Sequence, residues 1–144
     1  MSDDGSDAAT AGAVDWAALR AAAAEARANA YAPYSRFSVG AALLAVDGRV
    51  FRGSNVENAS YGLSLCAERA AVAAAVTAGA RRFVALALVT GASPPATPCG
   101  ACRQVLSELP PSFAIRCFGA DGDTVDTTVE ALLPRAFSRG ALDR

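Results

Sequence analysis

Three of the four cysteines in this 144-residue chain are spaced so that they could bind one metal ion. Cys99 and Cys102 form a C-x-x-C pair at the predicted start of a helix, which places both thiols on one side of that helix. Cys66 opens another predicted helix, and the partial positive charge at a helix N-terminus favours the thiolate that a metal requires. Zinc suits sulfur ligands, and three of them would leave the fourth tetrahedral position for a water molecule.

Glu68 and Arg69 follow Cys66 closely and could add a proton carrier and a positive charge. Glu68 is two residues from Cys66, so its side chain is expected to reach a metal-activated water rather than the metal. Arg69 could offset the net negative charge of zinc held by three thiolates. Each residue also has an ordinary interpretation, as a glutamate stabilised by the helix dipole and as a surface arginine.

Two further interpretations of the cysteines remain open. Cys99 and Cys102 could be a redox-active thiol pair. Cys117 could be a fourth ligand, which would make the zinc site a structural one in a binding module. The surrounding sequence IRCFG is typical of a buried strand, so we expect Cys117 to be a core residue.

The composition excludes several kinds of chemistry and partner. The chain has no histidine, and all 13 of its basic residues are arginine, which excludes His-dependent nucleophiles, His-ligated metals and lysine Schiff bases. The charges are dispersed and the formal net charge is −1, so we expect no nucleic-acid partner. Apolar runs such as 83–89 are far shorter than the roughly 20 residues that span a bilayer. We therefore expect a cytoplasmic protein with no membrane contact and with cysteines that are thiols or metal ligands.

The order of predicted elements indicates an α/β layered domain with a mixed sheet. Residues 1–13 are predicted to be a disordered acidic tail, and residues 14–144 a single domain. Asp47-Gly48 predicts the turn of a β-hairpin, and Asp15 is expected to cap the first helix. The predicted elements are helices over 16–30, 66–78 and 100–109, strands over 37–46, 49–55, 83–90 and 114–118, and a weak strand from Val125. A hairpin followed by crossovers accounts for this alternation.

Asn55 and Glu57 form a candidate polar clamp at the end of a predicted strand. Residues at i and i+2 of a strand point the same way. An amide beside a carboxylate suits a hydroxyl group and would repel a phosphate. A simple strand-end turn is the alternative interpretation.

Several motifs in register resemble the small homotetrameric cytidine deaminases, in the branch whose zinc is bound by three cysteines. The resemblance spans about residues 14–138 and keeps the family's order and spacing. The motifs are YSRFSVGAA at 34–42, NVEN at 55–58, CAER at 66–69, PCGACRQ at 98–104 and LLPRAF at 132–137.

This resemblance implies a three-layer α/β/α fold with a mixed central sheet of about five strands. It also implies hydrolytic deamination of cytidine and 2′-deoxycytidine, the chemistry of pyrimidine salvage. One zinc ion per subunit would be held by Cys66, Cys99 and Cys102, with Glu68 transferring the proton. A deaminase acting on a cytosine-bearing antibiotic such as blasticidin S would use the same frame and is the nearest alternative.

The resemblance also implies how a nucleoside would be bound. Asn55 and Glu57 would hold the ribose 3′-hydroxyl, Phe37 would pack on the nucleoside, and the backbone around Ala67 and Cys99 would hydrogen-bond the base. Two further residues, Tyr61 and Phe137, would reach the site of a neighbouring subunit. Phe137 would lie over the base, and Tyr61 would lie near the sugar. The expected assembly is therefore a homotetramer with shared active sites.

Overall fold

A computed structural model of the protein describes residues 13–142, which contain one five-stranded sheet and the helices that cover it. The predicted tail over 1–13 therefore lies outside the described residues, except for residue 13. The elements in chain order are α1 (Trp16–Ala28), β1 (Val39–Ala45), β2 (Val50–Ser54), a 3-10 turn (Tyr61–Leu63), α2 (Ala67–Thr77), β3 (Phe83–Thr90), α3 (Gly100–Ser107), β4 (Ala114–Phe118), β5 (Thr124–Thr128), α4 (Val129–Leu132) and a second 3-10 turn (Arg139–Ala141).

The sheet is mixed, with the strand order β2-β1-β3-β4-β5. β1 pairs antiparallel with both β2 and β3, β4 pairs antiparallel with β5, and only β3 and β4 run parallel. The predicted hairpin is confirmed: Leu44 faces Val50 across the turn, and Gly48 has the positive φ, +93°, that such a turn requires. A parallel pair needs a crossover, which the segment containing α3 provides.

The helices cover both faces of the sheet and give the expected three layers. On one face, Leu19 and Ala23 of α1 pack against Ala42, Ala85 and Ala87. Alternate residues of the same strands point to the other face, where they pack against α2 and α3. That second cluster includes Ala41, Leu43, Leu86, Leu88, Ala71 and Leu106.

Two glycines let the helices approach the sheet closely. A Cβ atom on Gly40 would lie 1.9 Å from the carbonyl oxygen of Ala23 in α1. A Cβ atom on Gly53 would lie 2.3 Å from the carbonyl oxygen of Ala67 in α2. Because the start of α2 lies directly against β2, the residues that open this helix have fixed positions relative to the sheet.

The helix ends agree with most of the predicted signals. Asp15 Oδ1 accepts the N–H of Ala18 at 3.0 Å, as expected of an N-cap, and Gly79 has a φ of +94° just beyond α2. The first and third predicted helices are each two residues shorter, because Asn29 and Glu108 already occupy their C-caps. No helix among residues 13–142 is long and apolar enough to cross a membrane.

Candidate active site and metal centre

The thiols of Cys66, Cys99 and Cys102 form one cluster, with their sulfur atoms all within 4.8 Å of one another. Cys66 is the N-cap of α2, Cys99 is the N-cap of α3, and Cys102 lies in the first turn of α3. Two helix starts therefore bring the predicted ligands together. Three soft sulfur donors at this separation fit zinc, and no carboxylate of residues 13–142 belongs to the cluster.

Cys117 does not join this cluster. It lies on β4, is fully buried, and belongs to the hydrophobic core on the α2 side of the sheet. Burial raises its pKa to about 12, so it remains a thiol at neutral pH. The expectation of a core cysteine is confirmed, and the four-cysteine structural site has no support among the described residues.

The helix starts affect the clustered thiols unequally. Burial tends to raise the pKa of Cys99, but hydrogen bonds from the backbone N–H and thiol of Cys102 and from Cys66 outweigh it and lower the pKa overall. The pKa of Cys102 is instead raised, first by burial and then by the charge of Glu68. The predicted lowering by the helix N-terminus is therefore correct for Cys99 and wrong for Cys102, because Cys102 is completely enclosed.

Arg69 lies beside the cluster, as its position after Cys66 suggested. Its Nη2 atom is 3.4 Å from Cys66 Sγ and 3.4 Å from the carbonyl oxygen of Ser64. The hydrogen bond to Cys66 is the main reason why the pKa of Arg69 is raised. The interpretation as an ordinary surface arginine is excluded, because the side chain is partly buried against the thiols.

Glu68 is a buried carboxylate on the wall of the adjoining cavity. Its side chain is in the first turn of α2, and the residue is only 5% exposed. Burial raises the pKa of Glu68, against smaller opposing effects of its own backbone N–H and of Arg69. A carboxyl group whose pKa is moved toward neutrality can both accept and donate a proton.

The cavity next to the cysteines has a volume of about 270 Å³ and is open on one side. Four predicted substrate-binding residues line it, namely Phe37, Asn55, Glu57 and Ala67. Glu68, Cys66 and Cys99 line it as well, so the candidate ligands, the buried carboxylate and the polar clamp share one space. Tyr61 and Phe137 do not line this cavity and are 74% and 63% exposed. Tyr61 lines a neighbouring surface depression together with Ser35, Glu57 and Ser64.

Asn55 is buried and binds the backbone that leads into β1. Its Oδ1 accepts the N–H of Val39 at 2.8 Å, and its Nδ2 donates to the carbonyl oxygen of Phe37 at 2.8 Å. The amide therefore fixes the chain on both sides of Ser38. Asn55 and Glu57 line one cavity, and their action as a clamp on a substrate stays a prediction; Asn55 positions the segment that contains Phe37.

Glu57 receives three hydrogen bonds from a single turn of chain. The backbone N–H groups of Tyr34 and Ser35 donate to Oε1 at 2.9 and 3.1 Å, and the Ser35 hydroxyl donates to Oε2. The Ser35 hydroxyl contributes most to lowering the pKa of Glu57, which keeps the carboxylate ionised.

Arg103 has a structural role that the sequence did not indicate. Its Nε donates to the carbonyl oxygen of Pro98 at 2.7 Å, and its Nη2 donates to Thr97 Oγ1 at 3.0 Å. Its Nη1 reaches the carbonyl oxygen of Leu132 at 3.1 Å. This arginine holds the loop before Cys99 against the C-terminal segment. A composition or periodicity signal could not reveal these contacts, since Leu132 is 29 residues away and the other two partners lie in an irregular loop.

Comparisons with known proteins agree with this geometry. Residues 15–114 match the family model for the cytidine and deoxycytidylate deaminase zinc-binding region. The chain is 54% identical over 117 residues to a cytidine deaminase of Halalkalibacterium halodurans, covering 81% of this chain and 89% of the relative. It is 59% identical over 95 residues to a cytidine deaminase of Mycobacterium tuberculosis, covering 66% and 71%. The crystal structure of cytidine deaminase from Burkholderia pseudomallei superposes with a TM-score of 0.83 at 51% identity, covering 86% of this chain and all of that one.

Proposed function

This chain belongs to the cytidine and deoxycytidylate deaminase family, and on that premise we propose that it is a zinc-dependent cytidine deaminase. The reaction adds water to cytidine or 2′-deoxycytidine and releases ammonia and the corresponding uridine nucleoside, as in pyrimidine salvage. The observation that best supports it is that one cavity is lined by both the buried Glu68 and the thiol cluster.

The chemistry divides between the metal and Glu68. Zinc held by Cys66, Cys99 and Cys102 supplies Lewis acidity, which makes water a nucleophile at neutral pH. The Glu68 carboxylate would accept one proton of the attacking water and pass it to N3 of the pyrimidine. It would then take the proton of the hydroxyl group formed on C4 and deliver it to the departing amino group, so that the C4–N bond breaks as the C4 carbonyl forms and ammonia leaves. Burial of Glu68 supports this role, because a raised pKa makes the proton easier to hold between these steps.

The remaining cavity residues would bind the nucleoside. We assign Glu57 and Asn55 to the ribose 3′-hydroxyl. Glu57 would accept the hydrogen bond of this hydroxyl, and Asn55 would hold the neighbouring backbone in place. Phe37 would pack on the nucleoside, and the backbone around Ala67 and Cys99 would hydrogen-bond the base. The ionised Glu57 disfavours a phosphate in this part of the cavity, which supports a nucleoside rather than a nucleotide as substrate.

We propose that residues 14–144 form one catalytic domain that acts in the cytoplasm. All strands of the described chain join a single sheet, and the four cysteines are free thiols. A reducing compartment preserves thiols in the state that zinc binding requires.

We further propose a homotetramer in which Phe137 covers the base, and Tyr61 approaches the sugar, in a neighbouring subunit's site. Phe137 is highly exposed and lies outside the cavity of its own chain, which supports a role toward another copy. Tyr61 is also highly exposed, and it borders the Glu57 side of its own cavity without lining it. Mixing tests this. Subunits with Glu68→Gln and subunits with Phe137→Ala should each be nearly inactive alone but regain activity in mixed oligomers, because some sites then combine an intact Glu68 with an intact Phe137. Activity that fails to rise on mixing would contradict the shared site.

The proposed function is tested by following the ultraviolet absorbance of cytidine and the release of ammonia. The purified protein should convert cytidine to uridine, lose this activity when a strong chelator removes the metal, and regain it with zinc. A folded, zinc-loaded protein that leaves both cytidine and 2′-deoxycytidine intact would overturn the proposal. Blasticidin S in the same assay tests the alternative substrate.

A further inference from the structure

We infer that Ser35 is a positioning residue for nucleoside recognition: its hydroxyl fixes the Glu57 carboxylate and the backbone of Phe37 in one arrangement, and thereby sets the preference for a sugar 3′-hydroxyl. The inference rests on the proposed function, and it adds a residue that neither the spacing of the motifs nor the cysteine cluster indicates.

The hydrogen bonds around Ser35 connect the two sides of the substrate cavity. The Ser35 hydroxyl donates to Glu57 Oε2. The Oγ atom of Ser35 in turn accepts the backbone N–H of Phe37 at 3.0 Å. Ser35, Phe37 and Glu57 all line the cavity. One side chain therefore links the acceptor assigned to the sugar with the aromatic residue assigned to the nucleoside.

The two oxygens of the Glu57 carboxylate have different surroundings. Oε1 accepts two backbone N–H groups, from Tyr34 and Ser35, at 2.9 and 3.1 Å. Oε2 accepts only the Ser35 hydroxyl among the residues that the structure describes. A carboxylate oxygen can accept two hydrogen bonds, so Oε2 is the oxygen with capacity left for a substrate hydroxyl. Ser35 holds that oxygen in place.

The location of Ser35 distinguishes a role in the cavity from a role in packing of the hydrophobic core. Ser35 is exposed, as are its neighbours Tyr34 and Arg36, and it belongs to neither hydrophobic cluster. Removal of its hydroxyl should therefore affect the cavity much more than the stability of the sheet. Ser38 provides a matched control, because it lies in the same segment and only its backbone oxygen has a hydrogen bond among the described contacts.

A comparison of two substrates distinguishes the effect of Ser35 on Glu57 from its effect on Phe37. Packing on Phe37 is available to any cytosine nucleoside, whereas the contact with Glu57 Oε2 needs a 3′-hydroxyl. The ratio of kcat/KM for 2′-deoxycytidine to that for 2′,3′-dideoxycytidine thus reports on the contact with the 3′-hydroxyl and not on packing against Phe37. We expect Ser35→Ala to reduce this ratio about tenfold, mainly by raising KM for 2′-deoxycytidine. Without the Ser35 hydroxyl, Glu57 Oε2 is no longer held in place, so its charge-assisted hydrogen bond with the 3′-hydroxyl is lost as a fixed contact. Ser35→Thr, which keeps the hydroxyl, and Ser38→Ala should both retain the wild-type ratio.

Any other outcome contradicts the proposed function, the assignment of Glu57 or the role of Ser35. A wild-type protein inactive on 2′-deoxycytidine refutes the proposed function and this inference together. A wild-type enzyme that deaminates both nucleosides equally well refutes the assignment of Glu57 and the inference, and leaves the deaminase intact. If Ser35→Ala lowers both activities equally or changes neither, Ser35 does not position Glu57. Zinc content and thermal unfolding establish that each variant is folded, and Ser35→Gly offers a second variant without the hydroxyl.

Discussion

Nη2 of Arg69 lies 3.4 Å from Sγ of Cys66, three residues away on the same turn of helix α2. The guanidinium is held in this place by the carbonyl oxygen of Ser64, and its buried Nε has no hydrogen-bond partner within the described chain. A positive charge in this position attracts the negative charge of a metal-bound sulfur. We therefore expect Arg69 to balance part of the negative charge that three thiolates would bring to zinc.

Replacing Arg69 by glutamine should weaken zinc binding, because the thiolates lose this nearby cation. Residues in contact with metal ligands typically affect metal affinity by about 10- to 100-fold, and we expect a loss in that range. Competition with a chromogenic chelator measures it. Arg69→Lys should lose less, and Arg52→Gln, which removes only a surface ion pair with Glu25, should lose nothing. Equal affinity in Arg69→Gln and the wild type would contradict the role.

Cys99→Ala should lose zinc and thermal stability together, because the metal joins the starts of α2 and α3. Metal analysis and thermal unfolding of the same sample would show both effects. Cys117→Ala is the informative comparison: it should keep one zinc per chain, since its thiol lies outside the cluster, while losing some stability in the core. Loss of zinc from Cys117→Ala would instead support a four-cysteine site.

Glu68→Gln should reduce kcat by about 10²- to 10⁴-fold, because the amide cannot take a proton from water. The side chain keeps its size, so zinc content should stay at the wild-type level. Binding of a non-hydrolysable cytidine analogue, measured by calorimetry, should persist. Undiminished turnover would remove Glu68 from the proton transfer.

The Glu57 carboxyl should titrate below its ordinary pKa of 4.5, because the hydrogen bonds from Ser35 and Tyr34 favour the ionised form. A pKa that is lower in the folded state stabilises the fold above pH 4.5, and this contribution is lost as the pH falls through the folded-state pKa. Carbon NMR titration of the carboxyl group measures it directly. In Ser35→Ala the pKa should move back toward 4.5, and an unmoved titration would contradict the hydrogen-bond assignment.

Gly40→Ala should destabilise the protein by about 3 kcal/mol, because the new methyl group meets the backbone of α1 and neither side can yield easily. Chemical unfolding gives the change in free energy. Gly62→Ala is the matched control, since a Cβ atom there has no neighbour within 4 Å. Similar stabilities of the two variants would show that α1 can move away from the sheet.

The elements of the fold were predictable because their signals are local. The Asp47-Gly48 turn, the Asp15 cap and the fully buried run of β3 depend on neighbouring residues, and the structure reproduces all three. The convergence of the three cysteines followed from their positions at helix starts. The small errors at the helix ends arise because Asn29 and Glu108 already occupy the C-caps of α1 and α3.

Contacts between distant segments could not be predicted in the same way. Nothing in the sequence near Arg103 indicates that it binds Leu132, and the three donors on Glu57 come from residues more than 20 positions earlier. The raised pKa of Cys102 depends on how completely the sheet and helices enclose it. These properties arise from tertiary packing, which the sequence pattern does not specify.

The parallel pairing of β3 and β4 also predicts when the metal centre assembles during folding. The β1–β2 hairpin closes between near neighbours, whereas β4 reaches β3 only after residues 91–113 have crossed over, and such non-local closure is slow. Cys66 precedes β3, while Cys99 and Cys102 lie within that crossover. Zinc capture by all three thiols should therefore coincide with the late phase of refolding, so that a stopped-flow zinc indicator would follow the rate-limiting step.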